Sequence, residues 1–254
     1  MTSYQLIHGE FDMRQWDEAM KPAEFAEFQL VDAILKGDFP IDSTLPAERE
    51  LAEQLGVTRP TLREVLQRLA KDGWIDIQHG KATRIKNYLV EGNLGVLSSM
   101  VRHQEFVSAD FVGNLLSFRR LIAPEYTRLA VLLHARECAD FLAASSSLSE
   151  SPSAFAVYDW QVHQFLAIRS ENPVFPLLLN GFANLYKVNG ELFYQMPGAF
   201  DLSIRFYREL SGAIHHNNPT LAESVCRSAM IASEQVWFAL AAQKRTLLED
   251  RRQE

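Results

Sequence analysis

The sequence predicts a mostly α-helical chain. An N-terminal winged helix-turn-helix, made of three helices and a β-hairpin wing, precedes an all-α bundle of about six or seven helices. Two observations carry this reading. Apolar residues recur at helical spacing along most of the chain, and only the stretch after Gly73 alternates as a strand does. Positive charge gathers in one place: the chain carries a net charge of −7, yet Thr58–Ile85 holds Arg59, Arg63, Arg68, Lys71, Lys81 and Arg84 against Glu64, Asp72 and Asp76.

Residues 1–21 form an N-terminal extension. It has no basic region followed by an apolar run, so it does not read as a signal peptide. It reads as an arm, or as an added helix packing through Trp16. The first folded unit spans 22–87. Its first helix carries Phe25, Phe28, Val31, Ile34 and Leu35 at helical spacing, and these are expected to face the core. The second follows "LPAERELAEQLG": Leu51 and Leu55 lie one turn apart, Glu48 and Glu50 suit the positive end of a helix dipole, and Gly56 ends the helix. The third begins near Thr58 or Arg59, because Pro60 is tolerated only in a first turn. Leu62, Val65, Leu66 and Leu69 give it one apolar stripe, while Arg59, Arg63, Gln67 and Lys71 line another face. Gly73 ends it. Two helices joined by a short glycine-containing turn are the helix-turn-helix pattern. "GWIDIQHGKATRI" then alternates, turns at His79-Gly80 and resumes over Thr83–Ile85 as the wing.

This arrangement explains the charge. A helix N-terminus bearing Thr58, Arg59, Thr61 and Arg63 can enter a major groove. There arginine donates two hydrogen bonds to guanine, and hydroxyls and amides reach phosphate. The wing tip, His79-Gly80-Lys81, is small and cationic. The rest of the chain can stay acidic, since only this surface must meet double-stranded DNA.

Residues 88–99 read as a linker and 100–254 as the helical bundle. "FVGNLLSFRRLIAPEYTRLAVLLHAR" predicts a long helix bent at Pro124. "SAFAVYDWQVHQFLAIRS", "PVFPLLLNGFANLYKVNGELFYQM", "GAFDLSIRFYRELSGAIHHN" and the segment from Pro219 onward complete the set. "AASSSLSESPS" reads as a polar loop or helix end. Cys138 and Cys226 lie far apart without metal-ligand spacing, which suits reduced thiols in a cytoplasmic protein. No apolar run approaches the roughly 18 residues that span a bilayer, so no membrane role is expected. The chain has no GxSxG, P-loop, GxGxxG or HExxH, so it does not read as an enzyme.

"LPAERELAEQLGVTRPTLREVLQRLAKDGWIDIQHGKATRI" resembles the winged-helix domain of GntR-family regulators. Within that family it is most similar to the members that govern fatty acid metabolism. The likeness is dense over Phe25–Asn87 and thinner at "NLLSFRRLI", "NPVFPLLLNGFANLY" and "SEQVW". It implies that Arg49, Thr58, Arg59, Thr61, Arg63, His79, Gly80 and Lys81 contact DNA. Pro60 departs from the pattern, standing where a hydroxyl residue is found. The resemblance further implies a homodimer on a palindromic operator. It would repress fatty-acid breakdown genes, activate unsaturated fatty-acid synthesis genes, and be released by long-chain acyl-CoA with no cofactor. Arg119, Tyr186, Ser233 and Trp237 match ligand-pocket positions. Met230 stands where a glycine is found near the ligand, and Ala242 where a lysine is found near the nucleotide end, with Lys244 close by.

The broader family offers an alternative, a carboxylate sensor with a metal held by an Asp-x-x-x-His pair and two later histidines. Asp159 and His163 match the pair, one helical turn apart. Tyr207 and Met230 occupy the later positions, so the expectation is no metal. His215 and His216 fall at a helix end.

Overall fold

Glycine and proline punctuate the chain where its helices begin and end. The computed structural model describes residues 21–78, 80–102, 109–143, 145, 148–149 and 151–250. Trp16 and His79 lie outside the described residues. Ala242 and Lys244 fall on a part of the last helix whose side chains also lie outside that description. The chain divides into two compact units, Met1–Val96 and Leu97–Glu254. Among the described residues, no helix is long and apolar enough to cross a membrane.

The first unit contains α1 (Pro22–Lys36), α2 (Glu48–Leu55), α3 (Arg59–Asp72), β1 (Ile75–Asp76), β2 (Arg84–Ile85) and α4 (Tyr88–Glu91). Next, α5 (Leu94–Arg102) runs across the division between the units, so α4 and the start of α5 occupy the segment read as a linker. Gly56 and Gly73 close α2 and α3 with φ of 66° and 100°, a left-handed conformation that glycine adopts without a Cβ clash. Thr58 caps α3 by accepting a hydrogen bond from the Thr61 amide at 3.3 Å. The stripe of α3 is buried as its spacing requires: Leu62, Val65, Leu66 and Leu69 are all at most 3% exposed.

The face of α1 differs from expectation. Its buried arc is Ala26, Glu27, Leu30, Val31 and Ile34, whereas Phe25 is 42% exposed and Phe28 and Leu35 are half-buried. At 100° per residue Phe25 lies on the far side of that arc. The helix is apolar nearly all round, so periodicity alone does not choose the face. A charge pair accompanies the choice. Glu27 is buried in the arc, and its carboxylate lies 3.2 Å from Arg68 Nε on α3.

The wing hairpin is short. Ile75 pairs with Ile85 and Asp76 with Arg84, and Thr44 adds an antiparallel bridge to Arg84. Ile77, read as part of the alternating run, is 39% exposed beyond the pairing. Arg84 fixes the base of the wing, with Asp42 and Glu91 each 2.8 Å from its guanidinium. The Arg84 hydrogen bond holds the Glu91 carboxyl below its ordinary range.

Among the described residues, the regular structure of the second unit is all helical, with α6 (Ala109–Leu142), α7 (Pro152–Arg169), α8 (Val174–Asn180), α9 (Ala183–Tyr194), α10 (Ala199–His215) and α11 (Pro219–Asp250) after α5. Helix α6 packs along α11 and α7, α7 against α9, and α10 against α11. The core includes Tyr126, Phe155, Val162, Leu166, Leu210 and Cys226, each at most 2% exposed. The Thr127 hydroxyl of α6 lies 3.4 Å from Cys226 Sγ of α11. His215 ends α10 and His216 caps it, each ring Nδ1 lying 2.7 Å from the carbonyl four residues back.

The break in α6 does not fall at Pro124. Helical torsions continue through the proline and fail at His134, with φ −138° and ψ 41°. A proline removes only one backbone donor, and that single loss leaves the helix intact here. At the break, Cys138 Sγ approaches to 3.6 Å the Ala130 carbonyl, the acceptor that the residue 134 amide takes in an unbroken helix. The His134 ring anchors the new direction between Glu137 and Glu171, each 3.0 Å from one ring nitrogen.

Candidate nucleic-acid interface and internal cavity

The α2–turn–α3 hairpin brings Arg49, Thr58, Arg59, Thr61 and Arg63 to neighbouring positions. Arg49, Thr58, Arg59 and Arg63 are exposed and Thr61 is half-buried. The Thr58 and Thr61 hydroxyls lie 2.8 Å apart, so the cap also orients a hydroxyl pair at the amino end of α3. That end carries the positive pole of the helix dipole and unpaired amides, and Thr58, Arg59, Thr61 and Arg63 sit around it.

One feature of this face is not visible in the spacing. Arg63 is not free: its Nε donates to Glu48 Oε2 at 2.7 Å, across the turn from the first residue of α2. Both side chains are largely exposed, at 69% and 43%, so the pair is weak and can open toward phosphate. At the wing, Gly80 is exposed with φ 72° and Lys81 is exposed, its Nζ donating to Gln78 Oε1 at 3.0 Å. Gln78 in turn donates to Asp76 at 2.7 Å, which steadies the tip from its own strand.

The second unit holds a cavity with about 930 Å³ of empty space, open solvent at its mouth included. Pockets that bind small molecules are mostly apolar with a few placed polar groups. Arg119, Tyr186, Ser233 and Trp237 all line it, brought from α6, α9 and α11. Phe118, Trp160, Phe182 and Phe193 supply much of its aromatic wall, and Met230 lines it at 3% exposure.

A polar cluster faces this cavity. Asp159 on α7 accepts from Tyr207 of α10 at 2.8 Å and from Tyr186 of α9, and Tyr186 accepts in turn from Arg119 of α6. Arg119 Nη1 lies 3.9 Å from the Asp159 carboxylate, and its Cζ sits 5.2 Å from the Tyr186 ring centre. Burial opposes the Arg119 charge, but the oxygens of Tyr186 and Asp159 outweigh it and hold the guanidinium protonated. Burial, and then Asp159, push the Tyr207 hydroxyl well above its ordinary range. Burial does the same to Tyr186 despite the opposing Arg119 charge. Both phenols therefore remain donors. Among the described residues, Arg119 Nε is buried without a hydrogen-bond partner. A ligand acceptor could supply one.

Sequence reasoning singled out Asp159 only as half of a metal pair, and missed its role as the centre of this cluster. Its partners come from helices far apart in the chain, and the only local signal is a carboxylate flanked by core residues. Asp159 and His163 are held by other partners. Both Asp159 oxygens accept phenols, and His163 Nε2 lies 3.9 Å from the nearer one. His163 Nδ1 pairs instead with the Tyr126 hydroxyl at 2.7 Å. Among the described residues, no three His, Cys, Asp or Glu side chains are placed to hold a metal ion. Burial pushes the His163 imidazole down to about 4, against the pull of Asp159 and helped by Arg119, so the ring is neutral.

Comparison with known proteins accounts for both units. Residues 22–85 match the profile of bacterial regulatory proteins of the gntR family, and residues 86–248 that of the FadR C-terminal domain. The fatty acid metabolism regulator protein of Cronobacter sakazakii is 38% identical over 223 residues, covering 88% of this chain and 93% of that one. Its Yersinia pestis counterpart is 40% identical over 194 residues, covering 76% and 81%. The solved structure of Lar, which controls expression of the Listeria monocytogenes agr system, is similar in fold. Its TM-score is 0.57 at 14% identity, over 86% of this chain and 97% of that one.

Proposed function

The chain belongs to the GntR family of bacterial regulators and carries a FadR C-terminal domain, and from that premise we propose that it is a transcription factor of fatty acid metabolism that long-chain acyl-CoA releases from DNA. The observation that carries the effector is the cavity: apolar and aromatic over most of its wall, with one buried cluster of Arg119, Asp159 and Tyr186. An acyl chain takes the apolar wall. The thioester carbonyl is an acceptor that the orphaned Arg119 Nε can meet, in a cavity that Ser233 and Trp237 also line. Asp159 already balances the Arg119 charge, so a neutral carbonyl suits the site better than a further charge.

The DNA side of the reading uses Arg49, Thr58, Arg59, Thr61 and Arg63 on the helix-turn-helix, with His79, Gly80 and Lys81 at the wing. A homodimer would present two such faces to a palindromic operator. The protein would act in the cytoplasm, repressing genes of fatty-acid breakdown and activating those of unsaturated fatty-acid synthesis. Acyl-CoA can release it only by binding the DNA-free conformation better than the DNA-bound one.

The test is a fluorescence-anisotropy titration of a labelled operator, followed by acyl-CoAs of increasing chain length, with and without a chelator. Release that strengthens with chain length and ignores the chelator is expected, and coenzyme A alone should do little. Release indifferent to chain length, or abolished by chelation, would overturn the acyl-CoA assignment. Native mass spectrometry of the same sample should show dimer mass and any co-purified acyl-CoA.

A further inference from the structure

Leu202, Phe206 and Ala229 line both the internal cavity and an outer groove between α10 and α11. Residues that face two spaces are the wall between them. The same side chains border both spaces: Leu202 and Phe206 are 8% and 3% exposed on α10, and Ala229 contributes a single methyl from α11. The Phe206 ring lies nearly parallel to the His163 imidazole of α7, at 14° with ring centres 6.1 Å apart. Beyond the wall, the groove continues over Val225 and Ala232 and is rimmed by Arg205, Glu209 and Ser228. An apolar surface therefore resumes on the far side.

We propose that this partition is the stop that limits how long an acyl chain the cavity accepts, with Phe206 the residue that determines it. The inference rests on the acyl-CoA reading above. Each added methylene gains contact until the chain end meets the wall, and a longer chain must fold back or displace the Phe206 ring. Met230 lines the cavity but not the groove, so it fills space without separating the two.

The test is calorimetric titration of the full chain with saturated acyl-CoAs of increasing length, for wild type, Phe206→Ala and Phe206→Leu. In wild type, affinity should climb about fourfold per added methylene and then level off. In Phe206→Ala it should level off at longer chains. Phe206→Leu, which keeps an apolar branched side chain and guards against a folding defect, should move the same way by less. Variants that level off at the wild-type length would overturn the partition alone, leaving the effector assignment standing. Folded wild-type protein that binds no acyl-CoA would overturn both, and wild-type affinity that climbs without levelling off would show that no stop exists.

Discussion

Replacing Asp159 by alanine should strand a buried charge. The carboxylate accepts from Tyr207 at 2.8 Å and from Tyr186, and stands 3.9 Å from Arg119 Nη1, with both charged side chains 12% exposed. Coulomb's law at that separation, with an effective dielectric near 20, gives about 4 kcal/mol of attraction. Removing one member of a buried pair typically destabilises by roughly 3–5 kcal/mol, because the other charge stays in the interior without compensation. Arg119 keeps its contact with Tyr186, so the middle of that range is expected, about 4 kcal/mol. Asp159→Asn keeps an acceptor but not the charge and should lose about 2 kcal/mol, the worth of a charge-assisted hydrogen bond. Combining Asp159→Leu with Arg119→Met should come within about 1 kcal/mol of wild type, since apolar residues of similar volume replace buried pairs at little net change. Urea unfolding read by circular dichroism measures all three. An Asp159→Ala protein within about 1 kcal/mol of wild type, or a double variant no better than the alanine, would refute the argument.

Other outcomes follow from the same geometry. His163 has its imidazole depressed from 6.5 to about 4 by burial, so the unfolded chain binds the extra proton first as pH falls. Stability is then complete above pH 6.5 and lost between 6.5 and 4, by on the order of 3 kcal/mol. His163→Phe should remove that slope in unfolding curves taken across the window. Arg59→Ala and Arg63→Ala should each weaken operator binding by ~1–3 kcal/mol if the side chain reads a base, whereas Lys81→Ala should weaken all sequences alike and flatten the salt dependence. Anisotropy titrations at several salt concentrations separate these cases, and wild-type affinity from all three would rule the surface out. Glu48→Ala frees Arg63 from its 2.7 Å partner and should tighten binding, a gain that should shrink when Arg63→Ala is added.

What the sequence discloses depends on how local the physics is. The face of α3 is legible because Leu62, Val65, Leu66 and Leu69 form one buried stripe, while Arg59, Arg63, Gln67 and Lys71 line another face. The face of α1 is not, because apolar residues surround it and the pairing of Glu27 with Arg68 joins residues on different helices. Pro124 is a loud local signal at which helical torsions nonetheless continue, while the break at His134 is accompanied by contacts to Glu137 and Glu171 that no periodicity reveals. The four residues placed in the pocket by resemblance all line one cavity. The cluster that organises it joins Arg119, Asp159, Tyr186 and Tyr207 from four helices, a convergence that only the folded chain displays.

The two thiols give this protein a built-in clock. The sequence contains no cysteines besides Cys138 and Cys226, and burial pushes them up to about 11 and about 12. Only the thiolate attacks an alkylating reagent, so neither reacts at neutral pH until its surroundings part. Cys138 reports on the turn of α6 past His134, and Cys226 on the seam where α11 meets Thr127. Mass spectrometry of a timed maleimide reaction, resolved by peptide, therefore yields two independent opening rates from unmodified protein. A molecule that grips the bundle by way of α6 and α11 should slow the second hand of that clock more than the first.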